Sequence, residues 1–188
     1  MRLRLFYSNS SISQFQVVHI PFFTTIQPMK LISILLLFTV VTLHAETLLG
    51  YVIKVADGDT ITVLDANKKQ HKIRLNFIDA PESKQAFGNK SKKYLDEMVY
   101  RKNVSIEFEK RDMYGRVLGF VFLDGKNINL EMVKAGMAWH YEHFAKDAKE
   151  YAEAQQKAKE EKLGLWADPN PIPPWDFRKE AKNRRKAK

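Results

Sequence analysis

Asp57-Gly58-Asp59-Thr60-Ile61-Thr62-Val63-Leu64 opens a stretch that closes with Ile73-Arg74-Leu75-Asn76-Phe77-Ile78-Asp79-Ala80-Pro81-Glu82. Between the two halves lies a polar turn, Asp65-Ala66-Asn67-Lys68-Lys69. The Thr/Ile/Thr/Val alternation predicts a half-buried strand, and Ile73, Leu75 and Phe77 mark one face of another. Strand, turn, strand makes a hairpin, and the outer ends of a hairpin meet. Asp59 and Asp79 are therefore expected side by side. Facing carboxylates repel unless a cation or proton lies between them. Arg74 alternates away from the apolar face, and Glu82 lies one turn beyond the pair. A cation site, a positive fork and a third carboxylate in so few residues suit chemistry on a phosphate.

Working outward, Thr47–Ala56 reads as a preceding strand. A helix is expected over about Asn89–Arg101, with Tyr94, Leu95 and Met98 at helical spacing. Val104, Ile106 and Phe108 alternate in a fourth strand. Arg111-Asp112-Met113-Tyr114-Gly115-Arg116 is a polar turn, and Val117–Leu123 a fifth strand. Helices follow over about Asn127–Ala135 and Asp147–Lys162, stopped by Gly136 and Gly164. Pro169–Pro174 is expected to be extended, pinned by Trp166 and Trp175. Arg178–Lys188 is a basic tail, either a disordered, solvated end or an electrostatic hold on nucleic acid. This order predicts an α+β fold, mainly β: a five-stranded Greek-key β-barrel of the oligonucleotide-binding (OB) type with three α-helices. Tyr51, Phe77, Tyr94, Phe108, Phe120 and Phe122 are assigned to its core.

The chain has 188 residues, Lys+Arg 31 against Asp+Glu 22, and a formal charge of +9. That surplus points toward polyanions, nucleic acid or anionic lipid. There is no cysteine, which excludes disulfides and thiolate metal sites. Leu31–Val41 is an apolar run too short for a membrane span. With Lys30 ahead of it and Thr42-Leu43-His44-Ala45 behind, it has the three parts of a secretory signal, cleaved after Ala45. Residues 1–28 fit that signal badly. Either Met29 is the true start or Arg2 and Arg4 belong to a long leading region. The expected division is 1–45 upstream segment and signal, 46–167 barrel domain, and 168–188 Pro-rich extension and basic tail. The expected location is secreted or periplasmic, with no stable membrane insertion after cleavage and a monomeric state.

Asp57-Gly58-Asp59-Thr60, Ile73-Arg74-Leu75 with Ile78-Asp79-Ala80-Pro81-Glu82, and Asp112-Met113-Tyr114-Gly115-Arg116 together resemble the staphylococcal (micrococcal) nuclease family. Asn129-Leu130-Glu131-Met132-Val133-Lys134-Ala135-Gly136 and Lys162-Leu163-Gly164-Leu165-Trp166 extend the likeness. The segment from Trp166 to Arg178 resembles exported Gram-negative members. The resemblance implies a calcium-dependent nuclease that cuts DNA and RNA at the 5′ O–P bond and leaves 3′-phosphate ends. It places the metal ligands on Asp59, Asp79 and the Ala80 carbonyl, and the catalytic trio on Arg74, Glu82 and Arg116. Tyr114 carries over as a phosphate donor, and Tyr141 as a nucleotide contact. The loop Ser83–Gly88 is shorter than the founding enzyme's, and Met113 stands where that enzyme has a lysine.

These residue types suit the reaction. Calcium takes oxygen ligands and keeps waters, so it polarises a phosphate and positions a nucleophile. Glu82 acts as general base or orients the water; both roles stay open. Arginines offer parallel donors to the charge that develops in the transition state. Asp57 either supports the metal through water or only shapes the turn. His140 and His143 are read as packing or surface groups rather than a metal pair. The alternative to an enzyme is a non-catalytic nucleic-acid-binding OB-fold protein. A weaker third reading is a basic protein that binds anionic cell-surface polymers.

Overall fold

The computed structural model describes residues 46–187. The start at Met29, the signal and its cleavage site fall outside the described residues. The strands are β1 (Glu46–Asp57), β2 (Thr60–Leu64), β3 (Gln70–Leu75), β4 (Ile78–Asp79), β5 (Asn103–Arg111), β6 (Val117–Leu123), β7 (Lys126–Asn127) and β8 (Trp139–His140). The helices are α1 (Gly88–Val99), α2 (Ile128–Lys134), α3 (Lys149–Glu160) and α4 (Pro174–Lys186). No helix among the described residues is long and apolar enough to cross a membrane.

The main sheet runs β3-β2-β1-β5-β6-β7, and a parallel β3–β6 pairing closes it. β1, β2, β3, β5 and β6 therefore form the five-stranded barrel. Closing so few strands demands strong coiling, which register shifts help to supply. They occur in β1–β2 between Val52 and Lys54 and between Val55 and Asp57, and in β5–β6 between Phe108 and Lys110. Val52, Ile61, Val63, Ile73, Ile106, Val117 and Val121 fill the barrel without solvent exposure. Leu95 and Val99 of α1, with Met132 and Val133 of α2, extend that core.

Three expectations change. Phe122 is half-buried and does not pack into the core, since alternation on β6 sets Val117, Gly119 and Val121 inward. Tyr51 is not core; it is exposed on β1, where strand alternation turns it outward between the buried Gly50 and Val52. The helix count is four rather than three among the described residues, because the basic tail forms α4. Pro174 starts it with a preset φ, and Arg184, Arg185 and Lys186 in its last turn oppose the negative helix end.

One polar side chain fastens α2 to the barrel. Asn129 is fully buried; its Nδ2 donates to the Asn76 and Gly119 carbonyls at 3.0 Å each, and its Oδ1 accepts the Val121 N–H at 3.0 Å. It satisfies the Val121 N–H and the Asn76 carbonyl, and adds a second bond to the Gly119 carbonyl, which also accepts the Asn76 N–H at 2.9 Å.

Candidate active site

The hairpin β2–β3 does what its sequence implies. Thr60 pairs with Arg74 across the strands, and the Leu75 N–H donates to the Asp59 carbonyl at 2.8 Å. The chain then turns sharply at Asn76-Phe77, where Phe77 adopts φ of 64°. A non-glycine residue in that region costs energy and persists only when its surroundings hold it. Here the Phe77 ring is wedged edge-on against Phe120 at 4.8 Å and Tyr151 at 5.6 Å. The Tyr141 N–H also donates to the Phe77 carbonyl at 2.8 Å. The turn feeds β4, which pairs with β8 so that Asp79 lies opposite Trp139.

Asp79 thus folds back over Arg74. One Arg74 nitrogen, Nη2, reaches Asp79 Oδ1 at 2.8 Å and Asp59 Oδ2 at 3.1 Å. Its other, Nη1, donates to the carbonyls of Leu75 and Ile78 at 2.9 Å each. The two carboxylates meet on one guanidinium, which two main-chain oxygens lock in place. Asp59 Oδ2 also accepts the Ala80 N–H at 2.7 Å, and Asp59 Oδ1 accepts the Thr60 hydroxyl at 3.0 Å. Burial pushes the Asp59 carboxyl up to about 7; Arg74 opposes this, while Asp57 and Asp79 add to it. Asp57 Oδ1 accepts the Asp59 N–H at 3.2 Å, which shapes the turn. Gly58 is required by space: a β-carbon there would collide with Ser91 of α1 and with Ala80.

The opposite wall comes from the β5–β6 hairpin. Asp112 accepts the N–H groups of Tyr114 and Arg116 on Oδ1 at 2.9 Å each, and Arg116 Nε on Oδ2 at 2.7 Å. Gly115, at φ of 73° with open space around it, makes the turn possible. Burial acts against the Asp112 charge, yet the bonds from Arg116 and Tyr114 hold its carboxyl below the usual range. With Nε taken, Arg116 presents its terminal donors. Tyr114 and Met113 stand exposed beside it.

Asp59, Arg74, Asp79, Ala80, Glu82, Tyr114, Arg116 and Tyr141 all line one cleft of about 990 Å³. The structure therefore brings together every site residue expected from the sequence. His140 and His143 stand apart from it: His140 is buried with Nε2 at 3.1 Å from the Ala145 carbonyl, and His143 is exposed. Sequence reasoning missed two participants. Asp112 orients Arg116, and an Asp four residues before an Arg in a Gly turn was a readable signal. The other is Arg178, from α4. Its Nη2 lies 2.7 Å from Asp79 Oδ2, and its Nη1 lies 3.2 Å from Asp79 Oδ1 and 2.9 Å from Glu82 Oε1. Burial opposes the Arg178 charge, but these bonds outweigh it and hold its pKa above the ordinary value. Tyr141 is also partly covered, stacked on Trp175 at 5.3 Å and 13°.

Comparison with known proteins agrees with this geometry. Residues 72–168 match the family described as Staphylococcal nuclease homologue. A Haemophilus influenzae protein named an uncharacterized endonuclease is 48% identical over 153 residues, spanning 81% of this chain and 85% of the relative. The micrococcal nuclease of Shigella flexneri is 41% identical, spanning 71% of this chain and 82% of its own. A staphylococcal-like nuclease of Arabidopsis thaliana is 40% identical over 59% of this chain and 34% of its own. With this barrel, this cleft and these relatives, the chain belongs to the staphylococcal nuclease family.

Proposed function

We propose that this protein is an exported, calcium-dependent nuclease that hydrolyses DNA and RNA at the 5′ O–P bond and leaves 3′-phosphate ends. The observation that carries the reading is the convergence of Asp59, Asp79, Arg74, Glu82 and Arg116 on one cleft. It acts as a monomer, in the periplasm or the medium.

The donor set fits a hard divalent cation. Among the described residues no cluster of three or more His, Cys, Asp or Glu side chains is placed to hold a metal alone. The protein offers two carboxylates, Asp59 and Asp79, with the Ala80 carbonyl beside them. Calcium tolerates such an incomplete oxygen set because water and a phosphate oxygen fill the rest. Burial raises the Asp59 carboxyl even with Arg74 at 3.1 Å. When bound, the ion supplies phosphate polarisation and a lowered barrier to water attack.

The chain's own groups do the rest. Glu82, half-exposed at the mouth of the cleft, takes the proton of the attacking water or orients it. Arg116, its Nε fixed by Asp112, turns its two terminal donors to the phosphate oxygens. Arg74, whose terminal nitrogens already serve both carboxylates and the Leu75 and Ile78 carbonyls, holds the carboxylates in register and sets its positive charge beside the phosphate. Tyr114 donates a further hydrogen bond, and Tyr141 contacts the nucleotide. Removing one donor from developing charge costs about 2.7–4 kcal/mol in barrier, roughly 10²–10³ in rate. Arg74→Lys, Glu82→Ala and Arg116→Lys should each lose turnover on that scale in folded protein. Near-normal rates in any of the three would remove that residue from the reaction.

A further inference from the structure

We propose that Arg178 is a further residue of this site: it is a built-in counter-cation that a divalent metal must displace from Asp79, and it sets the metal concentration at which the site loads. The inference rests on the reading of Asp59 and Asp79 as cation ligands.

The oxygens of Asp79 are already engaged. Oδ1 receives Arg74 at 2.8 Å and Arg178 at 3.2 Å; Oδ2 receives Arg178 at 2.7 Å. A cation that takes Asp79 as a ligand competes for oxygens on which Arg178 already makes two of the three bonds. A divalent cation on Asp79 also meets the charge of Arg178 at a few ångströms, and like charges repel. One of the two arginines must yield, and their surroundings decide which. Arg74 is 14% exposed and locked to the Leu75 and Ile78 carbonyls. Arg178 is 44% exposed and has only carboxylates as partners in the site. Arg178 is the group that moves.

The placement of Arg178 is built rather than incidental. Trp175 lies three residues earlier, on the same face of α4. It stacks on Tyr141 at 5.3 Å and meets Trp139 edge-on at 5.6 Å. The preceding segment is tied to the loop after Glu82, where Gln85 Nε2 donates to the Ile172 carbonyl. α4 is therefore docked on the cleft by two independent groups. One meets the carboxylates and the other covers a ring that faces the cleft.

The test is a calorimetric titration of calcium into the purified wild-type protein, Arg178→Ala, Arg178→Lys, Trp175→Ala and Asp79→Asn, with no nucleic acid present. Charge-assisted hydrogen bonds to one buried carboxylate are strong. Losing that competition should tighten calcium binding in Arg178→Ala about tenfold or more. Arg178→Lys, which keeps the charge without the fork, should fall between it and wild type. Trp175→Ala frees α4 while leaving Arg178 in place and should shift binding the same way, an independent check on folding damage in Arg178→Ala. Binding seen only in Arg178→Ala also supports the inference. Unchanged or weaker binding in Arg178→Ala, where Asp79→Asn abolishes the wild-type signal, overturns the inference and leaves the cation site standing. No calcium binding in either wild type or Arg178→Ala overturns both.

Discussion

Asp59→Asn should make the metal-free protein more stable at pH 8. In the fold the Asp59 carboxyl is pushed from 3.8 to about 7, chiefly by burial. The sign follows from linkage. A carboxyl whose folded pKa is raised favours folding below its ordinary pKa, and that contribution is lost as pH rises from 3.8 through about 7. At ~1.36 kcal/mol for each pKa unit, the charged form carries a penalty of about 4 kcal/mol above pH 8. Asparagine keeps the shape, and its amide oxygen at the Oδ2 position accepts the Ala80 N–H and faces Arg74 without the charge. Allowing for the poorer fit of an amide than of a protonated carboxyl at this place, a net gain of about 2 kcal/mol is expected. The assay is urea unfolding in chelator at pH 8 and pH 4.5. The variant should lead at pH 8, and its lead should shrink toward zero at pH 4.5, where the wild-type carboxyl is protonated. A variant no more stable than wild type at pH 8 would refute the argument that Asp59 is held ionised at a cost. Its residence there would then need no cation to explain it.

Three further perturbations probe the supporting structure. Asp112→Ala frees the Arg116 Nε and two backbone donors; turnover should fall about 10²-fold, as for a reacting group misplaced by an ångström, and steady-state kinetics showing an unchanged kcat would contradict this. Asn129→Ala leaves the Val121 N–H and the Asn76 carbonyl without their partner and should cost about 3 kcal/mol by denaturant melts; a loss below about 1 kcal/mol would show that water replaces the side chain. The Asp65 carboxyl is held low, first by its hydrogen bond with His71. Its stabilisation is present above the ordinary carboxylate pKa and is lost as pH falls through the lowered one. Asp65→Asn should therefore melt earlier than wild type at pH 6 and together with it once pH has fallen below the lowered pKa; a gap that persists in acid would assign the loss to something other than charge.

Much of the site was readable because it is local. Asp59, Arg74, Asp79 and Glu82 lie within one hairpin and its exit, and alternation along β2 and β3 fixes which side chains share a face. The same alternation explains Tyr51, whose aromatic character suggested core while its register turns it outward. The barrel's closure was less visible. The β3–β6 pairing joins residues more than 40 apart, and register shifts in β1 and β5 break a strict period. Arg178 was beyond reach for a different reason. α4 is polar nearly all round, so no apolar stripe announced a helix. The legible signs were Pro174 at its start, Asp176 in the first turn and basic residues in the last. Even a helix assigned on those signs would not have shown that it returns 99 residues along the chain to Asp79.

If Asp59 and Asp79 hold a divalent cation, this cleft cuts phosphodiester bonds only when that cation is present. The most direct measurement is cleavage of plasmid DNA and of RNA by the purified protein, with calcium or with chelator, and with the ends of the products identified. The account predicts cleavage of both nucleic acids in calcium, 3′-phosphate ends, and no cleavage in chelator. Full activity in chelator would contradict the cation's role. Salt-sensitive binding of nucleic acid without cleavage in calcium would contradict the enzyme and leave a binding protein in its place.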